Sequence, residues 1–317
     1  MKRIQKIFFA LGTANSITVY YEEDQEETVI STLEEIKKRI LRMDDELSVF
    51  KEDSEISGIR KAAGKSLVEV SPDTYEIVKK SIGYARFSRE TFDITSRPLS
   101  QLWGIGKKGD YIPGRRDIHK ARKLVNYKDI LMQENPCRIG MRKKEQAIDL
   151  GGIAKGYAAD LARTMLLGCH ITEAMINFGG TVIVIGKEKT IGIQDPECNT
   201  GKAMGSLTIK NQAVVTSGVY ERYFVKDGIR YHHIIDPRTG RPSDTGIASI
   251  TVIGESAMEM DALATSVLLL GIEEGNKLIA QCNAEGIFIT DAKEVYVTPG
   301  LADKFQMTKQ QENLYGK

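Results

Sequence analysis

Ser249-Ile-Thr-Val-Ile253, Ala257-Met-Glu-Met-Asp-Ala-Leu-Ala-Thr-Ser-Val-Leu-Leu-Leu270, the stretch Glu273 to Cys282, Ile287-Phe-Ile-Thr290 and Val295-Tyr-Val-Thr298 follow one another near the end of the chain. The three short runs are rich in β-branched and aromatic residues and bounded by turn residues, so they read as strands. The two longer stretches read as helices set between them. Working outward, Val182–Ile185, Ser206–Ile209, Tyr220–Val225 and Arg230–Ile235 also read as strands. Asp227-Gly228 between the last two accepts the positive φ angles of a type I′ turn, which predicts a tight hairpin. Towards the N-terminus, Val29, Leu33, Ile36 and Ile40 form a helical stripe, with acidic residues before it and Lys37, Lys38, Arg39 and Arg42 near its end. Ser71-Pro72 reads as an N-cap followed by proline in the first turn, with Tyr75, Val78, Ile82 and Ala85 facing inward. Asp117 is expected to cap a short helix running to Val125. Hairpins interrupted by a few long helices, without regular strand–helix alternation, predict an α+β fold with mostly antiparallel sheets and flanking helices.

The chain has 317 residues, 41% hydrophobic and 27% charged, which suits a packed core rather than disorder. Its formal charge of +1 gives no electrostatic reason to expect nucleic acid or an anionic membrane as partner. Cys137, Cys169, Cys198 and Cys282 are far apart, with no CxxC and no histidine at zinc spacing, so reduced thiols are expected. No apolar run has the length of a membrane helix. Met1-Lys-Arg-Ile-Gln-Lys followed by Ile7–Leu11 imitates a short secretion signal, but a first strand running on into Ile17-Thr-Val-Tyr-Tyr21 accounts for it equally well. A cytoplasmic location is preferred to export on this reading.

Three segments carry residue types suited to chemistry. In Ile148-Asp149-Leu-Gly151-Gly152-Ile-Ala-Lys155-Gly156-Tyr157-Ala-Ala-Asp160, a strand feeds a glycine pair and then a helix. This is either a structural turn or a phosphate site in which the first helical N–H groups and Lys155 meet an anion. On the late helix, Asp261 and Thr265 are four apart and share a face, giving either a helix-packing hydrogen bond or hard oxygens suited to Mg2+. In Tyr231-His232-His233-Ile-Ile-Asp236-Pro-Arg-Thr-Gly240, strand alternation sends the two histidines to opposite faces, so they cannot share one metal. One is then available for proton transfer, and Asp236 either caps the turn or acts with it. Weaker signals are Gly12-Thr13, Phe92-Asp93-Ile-Thr95 (which reads as a strand), Trp103-Gly104, Asn177-Phe-Gly179-Gly180, and a hydroxyl pair, Thr216 and Ser217, at a strand end.

The order of these segments, with Leu47-Ser48-Val-Phe50, Gly192-Ile-x-Asp195-Pro196 and Ser217-Gly-x-Tyr220-Glu-Arg222 between them, resembles the ApbE family, the FAD:protein FMN transferases, over nearly the whole chain. The resemblance implies a T-fold-like α+β architecture: a single domain over 1–307 made of two intertwined, closely packed subdomains, with a polar tail at 308–317. It implies FAD as substrate and a divalent metal, Mg2+ with Mn2+ as the substitute. It also implies a target flavoprotein whose Thr or Ser hydroxyl receives FMN as a phosphoester while AMP leaves.

Carried over residue by residue, the resemblance makes Asp261, Thr265 and the Gly152 carbonyl the metal ligands. Leu11, Gly12, Phe50, Phe92, Asp93, Asp149, Gly151, Thr216 and Ser217 become flavin-nucleotide contacts. His233 becomes the base, with Asp236 holding its ring and Lys155 assisting at the phosphates. Leu11 departs from the family's usual Met, and the lipobox cysteine of many relatives is absent. Hydrolysis of FAD to FMN and AMP at the same residues, or non-catalytic flavin binding, are the competing functions.

Overall fold

A computed structural model describes residues 1–198 and 201–308; of the polar stretch starting at Thr308, residues 309–317 lie outside the described residues. The chain forms two compact units. One comprises Met1–Leu41, Lys155–Gly218 and Thr245 onward, and the other Arg42–Ala154 with Val219–Asp244.

In the first unit, an eight-stranded sheet has the order β1-β2-β6-β7-β10-β15-β16-β17, every pairing antiparallel. Its strands are β1 (Lys2–Ala10), β2 (Thr13–Tyr21), β6 (Ala174–Phe178), β7 (Thr181–Ile185), β10 (Ala213–Gly218), β15 (Ile247–Gly254), β16 (Glu285–Thr290) and β17 (Val295–Val297). A three-stranded sheet of β8 (Lys189–Gln194), β9 (Ala203–Ile209) and β18 (Phe305–Met307) covers one face, where Ile193, Met204 and Leu207 pack on Val184, Val214, Ile253 and Ile287. The helices are α1 (Glu26–Leu47), whose residues to Leu41 belong here, α6 (Ala154–Gly168), α7 (Ala257–Leu270) and α8 (Ile272–Gln281). A Cβ on Gly254 would meet Met260 Sδ at 2.5 Å, which places α7 on the opposite face of the large sheet. The α1 stripe of Val29, Leu33, Ile36 and Ile40 is buried, at 1% exposure or less.

The single N-terminal strand expected from the sequence is two strands. β1 and β2 pair from Lys2↔Tyr21 to Ala10↔Thr13, joined by Leu11 and Gly12 at φ 54 and 73. Two consecutive positive φ angles make the type I′ turn that matches strand twist, and leucine gives no hint of it in the sequence.

In the second unit, α2 (Glu55–Ala62), α3 (Pro72–Phe87), α4 (Arg97–Trp103) and α5 (Arg115–Arg122) accompany three small antiparallel sheets. These are β3 (Val68–Glu69), β5 (Arg138–Met141) and β4 (Ile130–Gln133); β11 (Tyr223–Lys226) with β12 (Ile229–His232); and β13 (Ile235–Asp236) with β14 (Arg241–Pro242). Ser71 caps α3 as expected, accepting from Thr74 N, and Asp227-Gly228 turns the β11–β12 hairpin with both φ positive. Leu99, Trp103, Ile118, Phe224 and Ile235 form a buried cluster, with Tyr231 stacked between Trp103 and Phe224. Trp103 Nε1 donates to the Gly240 carbonyl at 2.8 Å, tying the Asp236–Gly240 turn to α4.

Several local expectations differ. Asp117 lies in the first turn of α5, whose N-cap is Gly114, and the helix ends at Arg122 rather than Val125. Ile77 and Ser81, not Ile82, complete the buried face of α3. The strand expected from Tyr220 begins at Tyr223, and the one expected over Arg230–Ile235 breaks after His232, because His233 N donates instead to the Arg222 carbonyl. Ile148 and Asp149 form no strand, and Ile94–Ser96 is a 3-10 turn capped by Asp93.

Candidate active site

In the first unit the candidate residues gather where α6 packs against α7. A Cβ on Gly156 would meet the Ala257 carbonyl oxygen at 2.3 Å and Met258 Cα at 2.6 Å, so only glycine lets the two helix starts approach this closely. Each helix then lends a carboxylate to the other's N-terminus. Asp160 on α6 accepts from Ser256 Oγ (2.8 Å), Ala257 N (3.1 Å) and Met258 N (2.9 Å), satisfying the first N–H groups of α7. Asp261 on α7 accepts from Gly156 N through Oδ2 at 3.0 Å.

Asp261 is 4% exposed, and no donor among the described residues meets its Oδ1. Lys155 Nζ is 3.8 Å from Oδ2, and Thr265 Oγ1 donates back to the Asp261 carbonyl at 3.3 Å. A buried carboxylate with one backbone donor and an ammonium at 3.8 Å still has an oxygen to offer, and a cation there would help offset its desolvation. Among the described residues no group of three or more His, Cys, Asp or Glu could hold a metal. A metal at Asp261 would therefore draw on hydroxyl and carbonyl oxygens, a hard donor set that fits Mg2+ or Mn2+.

Thr216 and Ser217 do not act as a pair. Thr216 shares its hydroxyl with Thr251 at 2.8 Å on the face covered by the smaller sheet. Ser217 opposes Ile250 on the face that carries α7. Strand alternation makes both orientations obligatory. Leu11 and Gly12 occupy the hairpin turn already described.

In the second unit, Asp149 is placed by its own backbone, N donating to the Ile94 carbonyl at 2.7 Å. Its Oδ1 accepts from Gly151 N at 3.0 Å, closing the turn ahead of Gly152, and its Oδ2 accepts from Arg97 Nη1 at 3.3 Å. The Arg97 guanidinium lies 5.2 Å from the centre of the Phe50 ring, and Lys107 Nζ lies 3.6 Å from it. Phe50 is 62% exposed. An exposed ring with two cations against it offers a stacking surface next to positive charge, which suits an aromatic ligand carrying phosphates. Arg97 and Lys107 escaped the sequence reading; Arg97 meets Asp149 across 52 residues, beyond any local spacing.

Phe92 and Asp93 have internal partners. Phe92 is 4% exposed and its N donates to Ser88 Oγ. Asp93 accepts from Thr95 N and Oγ1 and from Tyr127 N, at 2.6 to 3.0 Å. Burial pushes the Asp93 carboxyl above the usual carboxylate range, against the pull of those hydrogen bonds. The resemblance makes both flavin contacts; in the structure Asp93, with Thr95, knits residues 93–95 to 126–127, while Phe92 is tied to Ser88.

The two histidines take different environments, although strand alternation is not the cause, because β12 ends at His232. His232 is buried, with Nδ1 accepting from Ile234 N (3.3 Å) and Nε2 donating to the Ser243 carbonyl (2.9 Å). His233 is half-buried, and its Nδ1 lies 3.3 Å from the Arg222 carbonyl. A carbonyl only accepts, so Nδ1 carries the proton and Nε2 is the basic nitrogen. The Glu221 carboxylate lies 4.0 Å from Nε2 and would stabilise the protonated ring. Asp236, expected to hold that ring, instead accepts from Arg238 N at 2.7 Å and from its guanidinium at 2.9 to 3.2 Å. That pairing also raises the Arg238 pKa. Glu221 is thus the acid beside His233 that the sequence reading missed, although it stands in the quoted Ser217–Arg222 run.

The sequence pattern of the ApbE family matches residues 11–288. A Klebsiella pneumoniae (strain 342) protein named FAD:protein FMN transferase is 36% identical over 260 residues, covering 82% of this chain and 82% of its own. A Treponema pallidum (strain Nichols) protein of the same name is 28% identical over 316 residues, covering 94% of this chain and 87% of its own. The crystal structure of the ApbE protein of Thermotoga maritima has a TM-score of 0.82 at 32% identity, over 100% of both chains. The chain described here belongs to the ApbE family.

Proposed function

We propose that this enzyme is a Mg2+-dependent FAD:protein FMN transferase, which cleaves the FAD pyrophosphate and joins FMN to a Thr or Ser hydroxyl of a target flavoprotein. The transferase class rests on relatives of that name covering most of the chain. The observation that supports the metal-dependent mechanism is Asp261: buried, held through Oδ2 by Gly156 N, and with no donor to Oδ1 among the described residues.

Asp261, the Thr265 hydroxyl and the Gly152 carbonyl, two residues before α6 begins, would hold the metal. When bound, it would neutralise charge developing on the pyrophosphate oxygens. Phe50, backed by Arg97 and Lys107, would stack an aromatic ring of FAD and balance its phosphates. Asp149 would orient that set through Arg97. His233 Nε2 would take the proton of the acceptor hydroxyl as its oxygen bonds to the phosphorus of the FMN half. The bond from that phosphorus to the bridging oxygen breaks, and AMP leaves with the electron pair.

The test incubates the protein with FAD, Mg2+ and candidate acceptor flavoproteins, and then reads flavin fluorescence in a denaturing gel. A covalently fluorescent acceptor with equimolar AMP is expected, and no band when EDTA replaces Mg2+. FMN and AMP without a labelled acceptor would mean water is the acceptor; FAD bound without AMP release would refute catalysis. No helix among the described residues is long and apolar enough to cross a membrane.

A further inference from the structure

The second unit carries a concavity of about 780 Å³, within the size range of small-ligand sites. None of the residues lining it is among those assigned above to flavin, metal or proton transfer. Six cationic side chains ring it: Arg60, Lys61, Lys65, Lys108, Lys120 and Lys144. Asp117 and Glu145 are the acidic residues there, and Pro98, Leu102, Ala121 and Leu124 supply apolar surface.

Three of the six cations are already engaged. Arg60 and Lys61 pair with Glu52 at 3.4 and 2.9 Å, and Lys108 Nζ donates to the Gln101 and Leu102 carbonyls at the end of α4. Lys65, Lys120 and Lys144 form no ion pair with a described residue. Lys120 sits in the last turn of α5, where the helix dipole accounts for a cation. Lys65 and Lys144 are on loops, which the dipole does not explain. Those loops are fixed backbone to backbone. Gly64 N donates to the Met141 carbonyl at 2.8 Å, and a Cβ on Gly64, itself at φ +74, would meet Lys144 N at 2.7 Å. The fold therefore holds two unpaired lysines close together on a concave surface. Like charges in a concave site repel one another and raise the local concentration of anions.

We propose that this concavity binds a phosphorylated small molecule of nucleotide size. Its phosphates lie on Lys65, Lys120 and Lys144, and its less polar body lies on Pro98, Leu102, Ala121 and Leu124.

The test uses FAD-saturated protein in EDTA, so that the flavin site is filled and turnover is blocked. ATP and inorganic triphosphate are titrated calorimetrically at low and at high salt. Both are expected to bind, ATP the more tightly, with affinities that fall as salt rises. The Lys65→Gln/Lys120→Gln/Lys144→Gln variant should lose at least about tenfold in affinity for both probes while keeping wild-type melting and flavin transfer, since all three side chains are exposed. No binding to the FAD-loaded wild type, or unchanged affinity in the triple variant, overturns the site. Equal affinity for ATP and triphosphate overturns the role of the apolar floor. Because FAD loading is established first, loss of the flavin reading would appear as failure of that step, separate from these outcomes.

Discussion

Gly156→Ala probes the α6–α7 packing most sharply. The added Cβ would lie 2.3 Å from the Ala257 carbonyl oxygen and 2.6 Å from Met258 Cα, both backbone atoms that cannot rotate away. Ordinary contact requires α7 to retreat by roughly 0.7 Å or more. A shift of that size along the 3.0 Å bond from Gly156 N to Asp261 takes it out of hydrogen-bond range. Overpacking costs about 1–3 kcal/mol and the lost bond to a charged acceptor about 1.5–3 kcal/mol. The better helix propensity of alanine returns up to about 1 kcal/mol. The net loss is about 1.5–6 kcal/mol, or roughly 3–18 °C in melting temperature. The assay is a fluorescence melt paired with Mg2+-dependent FAD turnover, and Gly168→Ala is the control, because nothing lies within 4 Å of a Cβ there. The expected result is a lower melting temperature and weakened metal dependence for Gly156→Ala, with the control at or above wild type. A Gly156→Ala protein that melts within a degree of wild type, with unchanged metal response, would refute the close-approach reasoning.

Other consequences are equally direct. Phe50→Ala should raise the KM for FAD by about 2- to 30-fold with little change in kcat, since it removes a stacking face flanked by cations; steady-state kinetics showing a kcat effect alone would contradict that role. His233→Gln should lower kcat by about 10²–10⁴-fold while leaving FAD affinity intact, as measured by equilibrium binding. Burial pushes the Cys282 thiol up to about 12, with Glu259 adding to the effect. At pH 8 Cys282 should therefore resist iodoacetamide while the exposed Cys169 is alkylated, and peptide mass spectrometry reads the order directly.

The long helices were legible in the sequence because their signals are local. The stripe of α1, the Ser71 cap of α3 and the length of α7 each lie within a few turns of chain. The Asp227-Gly228 hairpin was legible because those residues favour the backbone that the turn requires. The Leu11-Gly12 turn was not, since the structure imposes a positive φ on a leucine that carries no turn signal. Asp93 and Asp236 show a different limit. A single aspartate beside turn residues looks the same whether it contacts a ligand or binds Thr95 and Tyr127, or Arg238; the partner decides, and the partner is set by tertiary folding. The pairing of Arg97 with Asp149 and Phe50, and of Asp160 with the start of α7, depends on segments that meet only in the fold. The α+β class and the position of Asp261 and Thr265 on one helix face survive intact. The hydroxyl pair of β10 does not, because strand alternation separates it.

The metal-dependent reaction depends on the carboxylate of Asp261 on α7. Titrating Mg2+ into FAD-loaded wild type and Asp261→Asn, and following AMP release, measures its role directly. The substitution keeps the shape and an acceptor for Gly156 N while removing the charge. Wild type should require the metal, and the variant should need at least about 100-fold more of it or release no AMP. An Asp261→Asn protein that cleaves FAD at the wild-type rate, with the same metal requirement, would contradict the assignment.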